Sequence, residues 1–219
     1  MNAPNAMNAR NALNVLTELQ RLKNLERTGW MLRGLPAGAE SVAAHSFGVA
    51  VVALLLGDMI RAEGTAVDME LLLRLALLHD WAEARTGDMP RTASLYFGAE
   101  ARRRAEQAAF ADIVAELGAE LARKYIALHA DYEERKSLEA RLVKAADVID
   151  LLLQVLAFER AGARGLDEFW ESAAQIEFHL DGAPERVVTS LIASVREARR
   201  QLSRTPQQTN PGINPQKGY

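Results

Sequence analysis

The sequence contains no cysteine and only four histidines among its 219 residues. The absence of cysteine excludes disulfide-stapled scaffolds, cysteine-based zinc sites, iron–sulfur clusters and thiol nucleophiles. Any metal ion must therefore be held by nitrogen and oxygen ligands. The imidazoles available for such a site are His45, His79, His129 and His179.

Charge of one sign and long apolar runs are also missing. Lys and Arg number 26 against 29 Asp and Glu, a net charge of −3, so the clustered positive charge typical of duplex DNA binding is absent. The longest apolar runs, 49–57 and 71–78, are well short of the ~20 residues that a membrane-spanning helix needs. The first residues lack the basic start and apolar stretch of a signal peptide. These features predict a cytoplasmic protein that binds neither duplex nucleic acid nor a membrane.

The composition favours helices. Ala and Leu are strong helix formers and abundant here, whereas runs of β-branched residues are few. Ser41, Asp68 and Ser137 stand where helix N-caps are expected. We predict an all-α single domain over residues 11–203, with a flexible segment at 1–10 and a disordered polar tail at 204–219. About seven or eight helices are expected, over 11–25, 42–63, 69–85, 100–117, 119–128, 138–160, 166–180 and 184–202.

Four polar side chains fall on helix faces that must point inward. His45, His79, Asp80 and Asp147 each lie one turn from large apolar residues. Burying an ionised carboxylate is costly unless it is paired or bound to a cation. Two such carboxylates beside two imidazoles therefore indicate one shared divalent metal ion. Two nitrogen and two oxygen ligands suit Mn, Co, Fe, Mg or Zn, and leave positions for water or a phosphate oxygen.

Each of these residues also has a plainer interpretation. A single histidine on an apolar face is more often a hydrogen-bonded core residue. Asp147 has Lys144 and Arg141 on its own helix as partners for an ion pair. A His–Asp dipeptide by itself carries little information. The joint arrangement on three helices is what favours a metal site.

The order His45, then His79–Asp80, then Asp147 resembles the H…HD…D pattern of the HD-domain metal-dependent phosphohydrolases. Within that superfamily, four segments are similar to the small 5′-deoxynucleotidases of the YfbR type: LKNLERTGWMLRG (22–34), ESVAAHSFGVAVVA (40–53), LALLHDWAEARTGDMP (75–90) and EARLVKAADVIDLLLQ (139–154). The similarity spans roughly residues 15–160, and HDxxExxxGDxP is its more specific motif. The resemblance implies a single HD-domain helical bundle and, by analogy, a homodimer.

The resemblance also implies roles for individual residues. The H…HD…D set would hold one metal ion, and Glu83 would be the catalytic carboxylate that handles a proton. Asp88 would line the substrate site near the sugar and the scissile phosphate. Arg27 would bind the 5′-phosphate, and Trp30 would lie near the sugar or base. From spacing alone, Glu83 follows His79 by one turn of a continuous helix, which would place it beside the metal.

These assignments compete with structural alternatives. Glu83 could be a solvated helix-end acid paired with Arg85 or Arg91. Arg27 could form a surface ion pair with Glu26 or Glu18. Trp30 could be a core anchor.

The remaining sequence features favour one metal ion and a small substrate. His129 and His179 lie in polar surroundings and are expected at the surface, which leaves no histidines for a second metal. Ala84 stands where related guanosine-polyphosphate hydrolases carry an acid. The resulting prediction is a phosphomonoesterase acting on (deoxy)nucleoside 5′-monophosphates. The alternatives are a phosphohydrolase of another small phosphorylated metabolite or nucleotide analogue, and a non-catalytic metal-binding interaction module.

Overall fold

The computed structural model describes residues 9–204 of the chain. Within that range the backbone forms eleven α-helices and two short 3-10 turns, at Gln20–Lys23 and Ala115–Leu117. The helices are α1 Ala9–Leu19, α2 Thr28–Met31, α3 Val42–Ala62, α4 Met69–Leu78, α5 Glu83–Thr86, α6 Arg91–Phe97, α7 Ala99–Val114, α8 Ala119–Glu134, α9 Leu138–Arg160, α10 Asp167–Ala174 and α11 Gly182–Arg204.

The predicted all-α fold is confirmed, although the described residues contain more helices than the seven or eight expected. The additional ones, α2, α5 and α6, have four to seven residues each. The predicted flexible N-terminus and disordered tail fall largely on residues 1–8 and 205–219, outside the described residues. In the described range, one antiparallel bridge between Glu26 and Ser41 is the whole of the β-structure.

Side-chain caps begin three of the long helices, as the sequence indicates. Ser41 Oγ accepts from the Ala44 amide at 3.1 Å, and Ser137 Oγ accepts from the Ala140 amide at 3.0 Å. Asp68 caps α4 in the same way through the Leu71 amide, at 3.0 Å. Each cap satisfies an amide that the helix itself leaves without a partner. The starts of α3, α4 and α9 are therefore fixed locally.

The predicted single helix over 69–85 is wrong. Helix α4 ends at Leu78, residues 79–82 form a turn, and α5 resumes at Glu83 for one turn. Gly87 then ends α5 with a φ of 75°, a left-handed conformation that suits glycine. The helix-forming residues of this segment concealed the break, because propensity is a weak guide where tertiary contacts decide. Similarly, the helix expected over 166–180 is restricted to α10.

Helices α3, α4 and α9 form the centre of the molecule. Val49, Leu56, Leu75 and Ile149, all with no exposed surface, belong to the apolar cluster between them. Two smaller clusters flank it, one around Phe110 between α1, α7 and α8, and one around Trp30 and Trp170 near α10 and α11.

Two glycines let α3 approach its neighbours closely. A Cβ atom on Gly48 would lie 2.7 Å from the carboxyl carbon of Asp150 on α9. One on Gly57 would lie 2.6 Å from Met69 Sδ on α4. Both distances are too short for a real Cβ contact, so only glycine fits at these positions without a shift of the neighbour.

Helix α3 is also the one described helix that is long and apolar enough, by length and composition, to cross a membrane. Core helices pass the same test, and the inner face of α3 packs in the centre of the molecule. Its outer face nevertheless carries five exposed apolar side chains: Phe47, Val51, Leu54, Leu55 and Met59.

Candidate metal centre

Three segments bring the H…HD…D residues together. His45 lies one turn after the Ser41 cap of α3, and Asp147 lies in the middle of α9. His79 is the residue on which α4 ends, and Asp80 follows in the turn. Because the helix stops here, the backbone turns both neighbouring side chains towards the same point.

The side chains converge closely. His45 Nε2 lies 3.2 Å from Asp147 Oδ1 and 3.8 Å from Asp80 Oδ2, and His79 Nε2 lies 3.2 Å from Asp80 Oδ2. One ligand atom from each of His45, His79 and Asp147 falls within 4.8 Å of the others. His79 Nε2 and Asp80 Oδ2 are buried without a hydrogen-bond partner in the described structure. Such unpartnered atoms are costly, and a divalent cation would satisfy them together.

The Nδ1 atom of each imidazole, on the ring edge away from the other candidate ligands, has a hydrogen-bond partner. His79 Nδ1 donates to the Ala76 carbonyl at 2.8 Å, which leaves the Nε2 lone pair facing the other ligands. His45 Nδ1 lies 2.8 Å from Asp150 Oδ2. Sequence reasoning missed Asp150, although its place three residues after Asp147 on α9 puts it on nearly the same helix face. Histidine ligands are commonly oriented by a carboxylate or carbonyl in this way.

Asp147 forms the ion pair that the sequence offered as an alternative and also faces the candidate metal position. Its Oδ2 accepts from Lys144 Nζ at 2.7 Å, the expected ion pair within α9, while Oδ1 faces His45. Burial would raise the pKa of Asp147, but the charges of Lys144 and the two imidazoles hold that pKa well below its ordinary value. The carboxylate therefore stays ionised, the form that binds a metal ion.

Opposite charges also set the pKa values of the neighbouring groups. Burial would raise the pKa of Asp80, but the charges of His79, His45 and Arg27 lower it. Burial and the charge of Arg27 would lower the pKa of His45, but hydrogen bonds with Asp147 and Asp150 raise it to about 9.

Arg27 lies in the site and not in a surface pair with Glu26 or Glu18. Its Nη1 is 3.6 Å from Asp80 Oδ2 and 3.5 Å from Asp88 Oδ1, while Glu18 pairs with Arg85. Burial would lower the pKa of Arg27, but the facing carboxylates raise it above its ordinary value. The guanidinium group is therefore a fixed positive charge beside the candidate ligands.

Asp88 accepts hydrogen bonds from the residue that follows Arg27. Its Oδ2 accepts from the Thr28 amide at 2.6 Å and from Thr28 Oγ1 at 2.7 Å. Its Oδ1 is the oxygen that faces Arg27. Asp88 thus ties the turn after α5 to the start of α2 and helps to aim the guanidinium group.

Glu83 is buried at the start of α5, with 6% of its surface exposed. Its Oε2 has no hydrogen-bond partner in the described structure, and the expected alternative partner Arg85 is bound to Glu18 instead. Burial raises the pKa of Glu83 well above its ordinary value, and the charges of Asp80 and Asp88 raise it further. A carboxyl group with these properties is typical of a proton-transfer site.

Trp30 occupies the position of a core anchor. Only 1% of its surface is exposed, Nε1 donates to Glu40 Oε2 at 2.6 Å, and its ring packs against Phe158 and Phe169. The residue also borders the cavity that opens over the ligand cluster. Its contact with the sugar or base of a substrate stays a prediction.

That cavity has a volume of about 710 Å³. His79, Asp80, Glu83, Arg27 and Asp147 are among the residues that line it. The lining also includes apolar residues from α9, α10 and the segment after α10: Val148, Leu151, Phe169, Ala173 and Ile176. The cavity therefore offers charged groups suited to an anion and apolar side chains suited to an apolar or aromatic group.

The expectation that His129 lies at the surface is wrong. Its exposure is 3%, and its ring stacks on Phe110 with centroids 4.1 Å apart. Burial lowers the pKa of His129 to about 4, with a further contribution from His79, so the ring is neutral at pH 7. The polar residues near it in sequence hid the apolar face of α8. His179 is exposed, as expected.

Comparisons with known proteins agree with this geometry. The HD domain family model matches residues 19–179. The chain is 34% identical to 5′-deoxynucleotidase HDDC2 of Danio rerio and 31% identical to that of Xenopus laevis, in each case over 81% of this chain and 82% of the relative. A conserved hypothetical protein from Pyrococcus furiosus has a similar structure, with a TM-score of 0.71 and 32% identity over 84% of this chain and 99% of that one.

The family model covers far more than half of the chain, and the matched range includes His45, His79 and Asp147, whose ligand atoms cluster here. The unpartnered His79 and Asp80 atoms fit a divalent cation. The chain belongs to the HD domain family.

Proposed function

We propose that this enzyme is a metal-dependent phosphomonoesterase that hydrolyses (deoxy)nucleoside 5′-monophosphates to nucleoside and phosphate. One observation carries the proposal: His79, Asp80 and Glu83, whose side chains have buried, unpartnered atoms, line one cavity together with apolar residues of α9 and α10. The cavity volume of about 710 Å³ falls in the range of about 300–1,000 Å³ typical of small-molecule sites. The names of the Danio and Xenopus relatives support the same substrate class.

In this proposal His45, His79, Asp80 and Asp147 hold one divalent cation. When bound, the cation lowers the pKa of water and neutralises phosphate charge. The metal could be Mn, Co, Mg, Fe or Zn, since all accept nitrogen and oxygen ligands.

The protein's own side chains position the substrate and move the proton. Arg27 donates to the phosphate from its place between Asp80 and Asp88, and Asp88 keeps the guanidinium group oriented. Glu83 exchanges a proton with the attacking water or the leaving 5′-oxygen through its free Oε2. Phosphoryl transfer depends mainly on such positioning and on charge stabilisation. The apolar residues that line the cavity receive the sugar and base.

A substrate panel tests this function directly. Purified protein is treated with a chelator, resupplied with Mn²⁺, Co²⁺ or Mg²⁺, and assayed for phosphate release from deoxy- and ribonucleoside 5′-monophosphates, sugar phosphates and p-nitrophenyl phosphate. We expect metal-dependent release that is fastest from the nucleotides. Equal or faster release from sugar phosphates would favour another phosphorylated metabolite, and no release from any compound would favour a metal-binding module.

The proposal also includes a homodimer that is formed through α3 and works in the cytoplasm, away from membranes and duplex nucleic acid. The five apolar side chains on the outer face of α3 are 40–72% exposed and follow one stripe of the helix. Together they expose on the order of 400 Å² of apolar surface, the size of the largest apolar patch on a typical protein, and such a patch often has a function. A second copy fits because a stable interface buries about 800 Å² per partner, so the stripe would form its apolar centre.

Light scattering after gel filtration tests the dimer. We expect a dimer for the wild type and a monomer for Leu55→Glu, which places a charge in the stripe. Leu13→Glu on α1 is the matched control, since Leu13 is 60% exposed and Leu55 is 55% exposed. A wild-type monomer, or a Leu55→Glu dimer, would remove this part of the proposal.

A further inference from the structure

Asp150 and Gly48 form a small assembly behind His45. Asp150 Oδ2 lies 2.8 Å from His45 Nδ1, on the opposite edge of the ring from the Nε2 atom that faces Asp147 and Asp80. The imidazole is 1% exposed, so its side of this contact is shielded from solvent. A carboxylate that accepts the Nδ1 proton fixes both the ring plane and the tautomer.

The carboxylate reaches His45 only because α3 has no side chain at position 48. A Cβ atom there would lie 2.7 Å from the carboxyl carbon of Asp150. Gly48 has the ordinary negative φ of a helix, so backbone conformation does not require glycine. Glycine in a helix interior costs roughly 1 kcal/mol relative to alanine. Its presence here has a steric reason, which is the space that Asp150 occupies.

We propose that Asp150, seated in the notch left by Gly48, is a positioning residue that aims His45 at the metal ion. The inference rests on the proposed metal site, and it adds a function for two residues outside the H…HD…D pattern. Helix α9 thereby supplies both a ligand, Asp147, and the group that orients a ligand on α3. The two roles are one helical turn apart, so a single rigid helix sets both.

Metal affinity is the measurement that tests this role. Mn²⁺ or Co²⁺ binding to the chelator-treated protein is followed by calorimetry, with the Co²⁺ absorption spectrum as a second readout of ligand geometry. Removing the orienting partner of a metal ligand typically weakens binding about 10–100-fold. We expect that loss for Asp150→Ala. Asp150→Asn, which keeps an acceptor oxygen, should retain an intermediate affinity.

Gly48→Ala should weaken binding in the same direction, because the added methyl group displaces the Asp150 carboxylate. In the Asp150→Ala background the same substitution should have little further effect, since the displaced group is already gone. Gly57→Ala is the matched control on the same helix, where the new Cβ would meet Met69 and Leu72. It should lower the melting temperature and leave metal affinity within about twofold.

The outcomes separate this inference from the proposed function. If the wild type binds no metal, or if His79→Ala binds as tightly as the wild type, the proposed metal site fails. If the wild type binds but Asp150→Ala binds equally well, only the positioning role fails. That role also fails if Gly48→Ala weakens binding as much in the Asp150→Ala background as in the wild type. Circular dichroism confirms that each variant compared is folded.

Discussion

Two regions of this molecule bury imidazoles at nearly the same depth, and they use them differently. At the candidate metal centre, His45 and His79 are 1% and 4% exposed, and their Nε2 atoms face carboxylate oxygens. On α8, His129 is 3% exposed and lies flat against Phe110. Burial of a histidine therefore does not define a site. The difference lies in what surrounds the ring, namely carboxylates with unsatisfied oxygens or an aromatic face.

The same contrast appears in the pKa values. Hydrogen bonds with Asp147 and Asp150 overcome burial and raise the pKa of His45 to about 9. Around His129 burial lowers the pKa to about 4. One environment favours a positive charge at the ring, and the other excludes it.

The largest effect expected is for His79→Ala. Removing this proposed ligand leaves Asp80 without its imidazole neighbour and should abolish metal binding, with a loss of kcat/KM of about 10³-fold or more. His129→Leu is the matched control, because it removes an equally buried imidazole that also borders the cavity but stacks on Phe110 and, among the described residues, has no carboxylate against its ring. Its kcat/KM should stay within about fivefold of the wild type. If both variants lose activity equally, the distinction between the two regions does not hold.

Glu83→Gln should have the next largest effect. The amide keeps the shape of the side chain but cannot exchange a proton, and general acid–base catalysis contributes roughly 10²–10⁴-fold. We expect kcat to fall by that amount while metal affinity measured by calorimetry is unchanged. Glu133→Gln is the control, since Glu133 also borders the cavity and burial also raises its pKa. A similar loss in both variants would show that the proton-transfer role does not belong to Glu83.

The smallest effect expected is on stability at acid pH. The folded pKa of His129 is about 4, below its ordinary value of 6.5, so between these pH values the unfolded state binds the proton and the folded state does not. Stability from this residue is complete above pH 6.5 and falls by about 3 kcal/mol as the pH drops to 4.

Urea unfolding of the wild type and of His129→Leu at several pH values measures this dependence. Between pH 6.5 and pH 4 the wild type should lose unfolding free energy that the variant keeps. The variant should therefore become more stable relative to the wild type as the pH falls. His179→Gln, which changes an exposed histidine, should leave the dependence as it is in the wild type. If the unfolding free energy of His129→Leu falls with pH as much as that of the wild type, another group causes the loss of stability at acid pH.

Much of the fold follows from local sequence signals. The caps at Ser41, Asp68 and Ser137 mark the starts of three long helices, because a side-chain acceptor at that position satisfies a free amide. The apolar register of His45, His79 and Asp147 indicates their inward direction, since a 3.6-residue period places them among core residues. The candidate ligand set therefore follows from the amino-acid sequence alone.

The parts that sequence reasoning missed depend on contacts between distant segments. Nothing in the apolar stretch of α4 marks the break at His79, and the turn there is what lets His79 and Asp80 face one point. Asp150 gains its significance from Gly48, which is about a hundred residues earlier in the chain. His129 is buried because Phe110 of α7 covers it. Neither of these two pairings can be identified from the residues next to either partner in the sequence.

The two glycine notches of α3 have a mechanical consequence. Gly48 and Gly57 are nine residues apart, which is about 14 Å along the axis and about half a turn around it. Asp150 of α9 enters one notch, and Met69 of α4 enters the other from roughly the opposite side. Because these two side chains pack into α3 from opposite sides, they oppose both translation of the helix along its axis and rotation about it. His45, located three residues before the first notch, is held in place by the rigid alignment of three helices, and its position does not depend on loops.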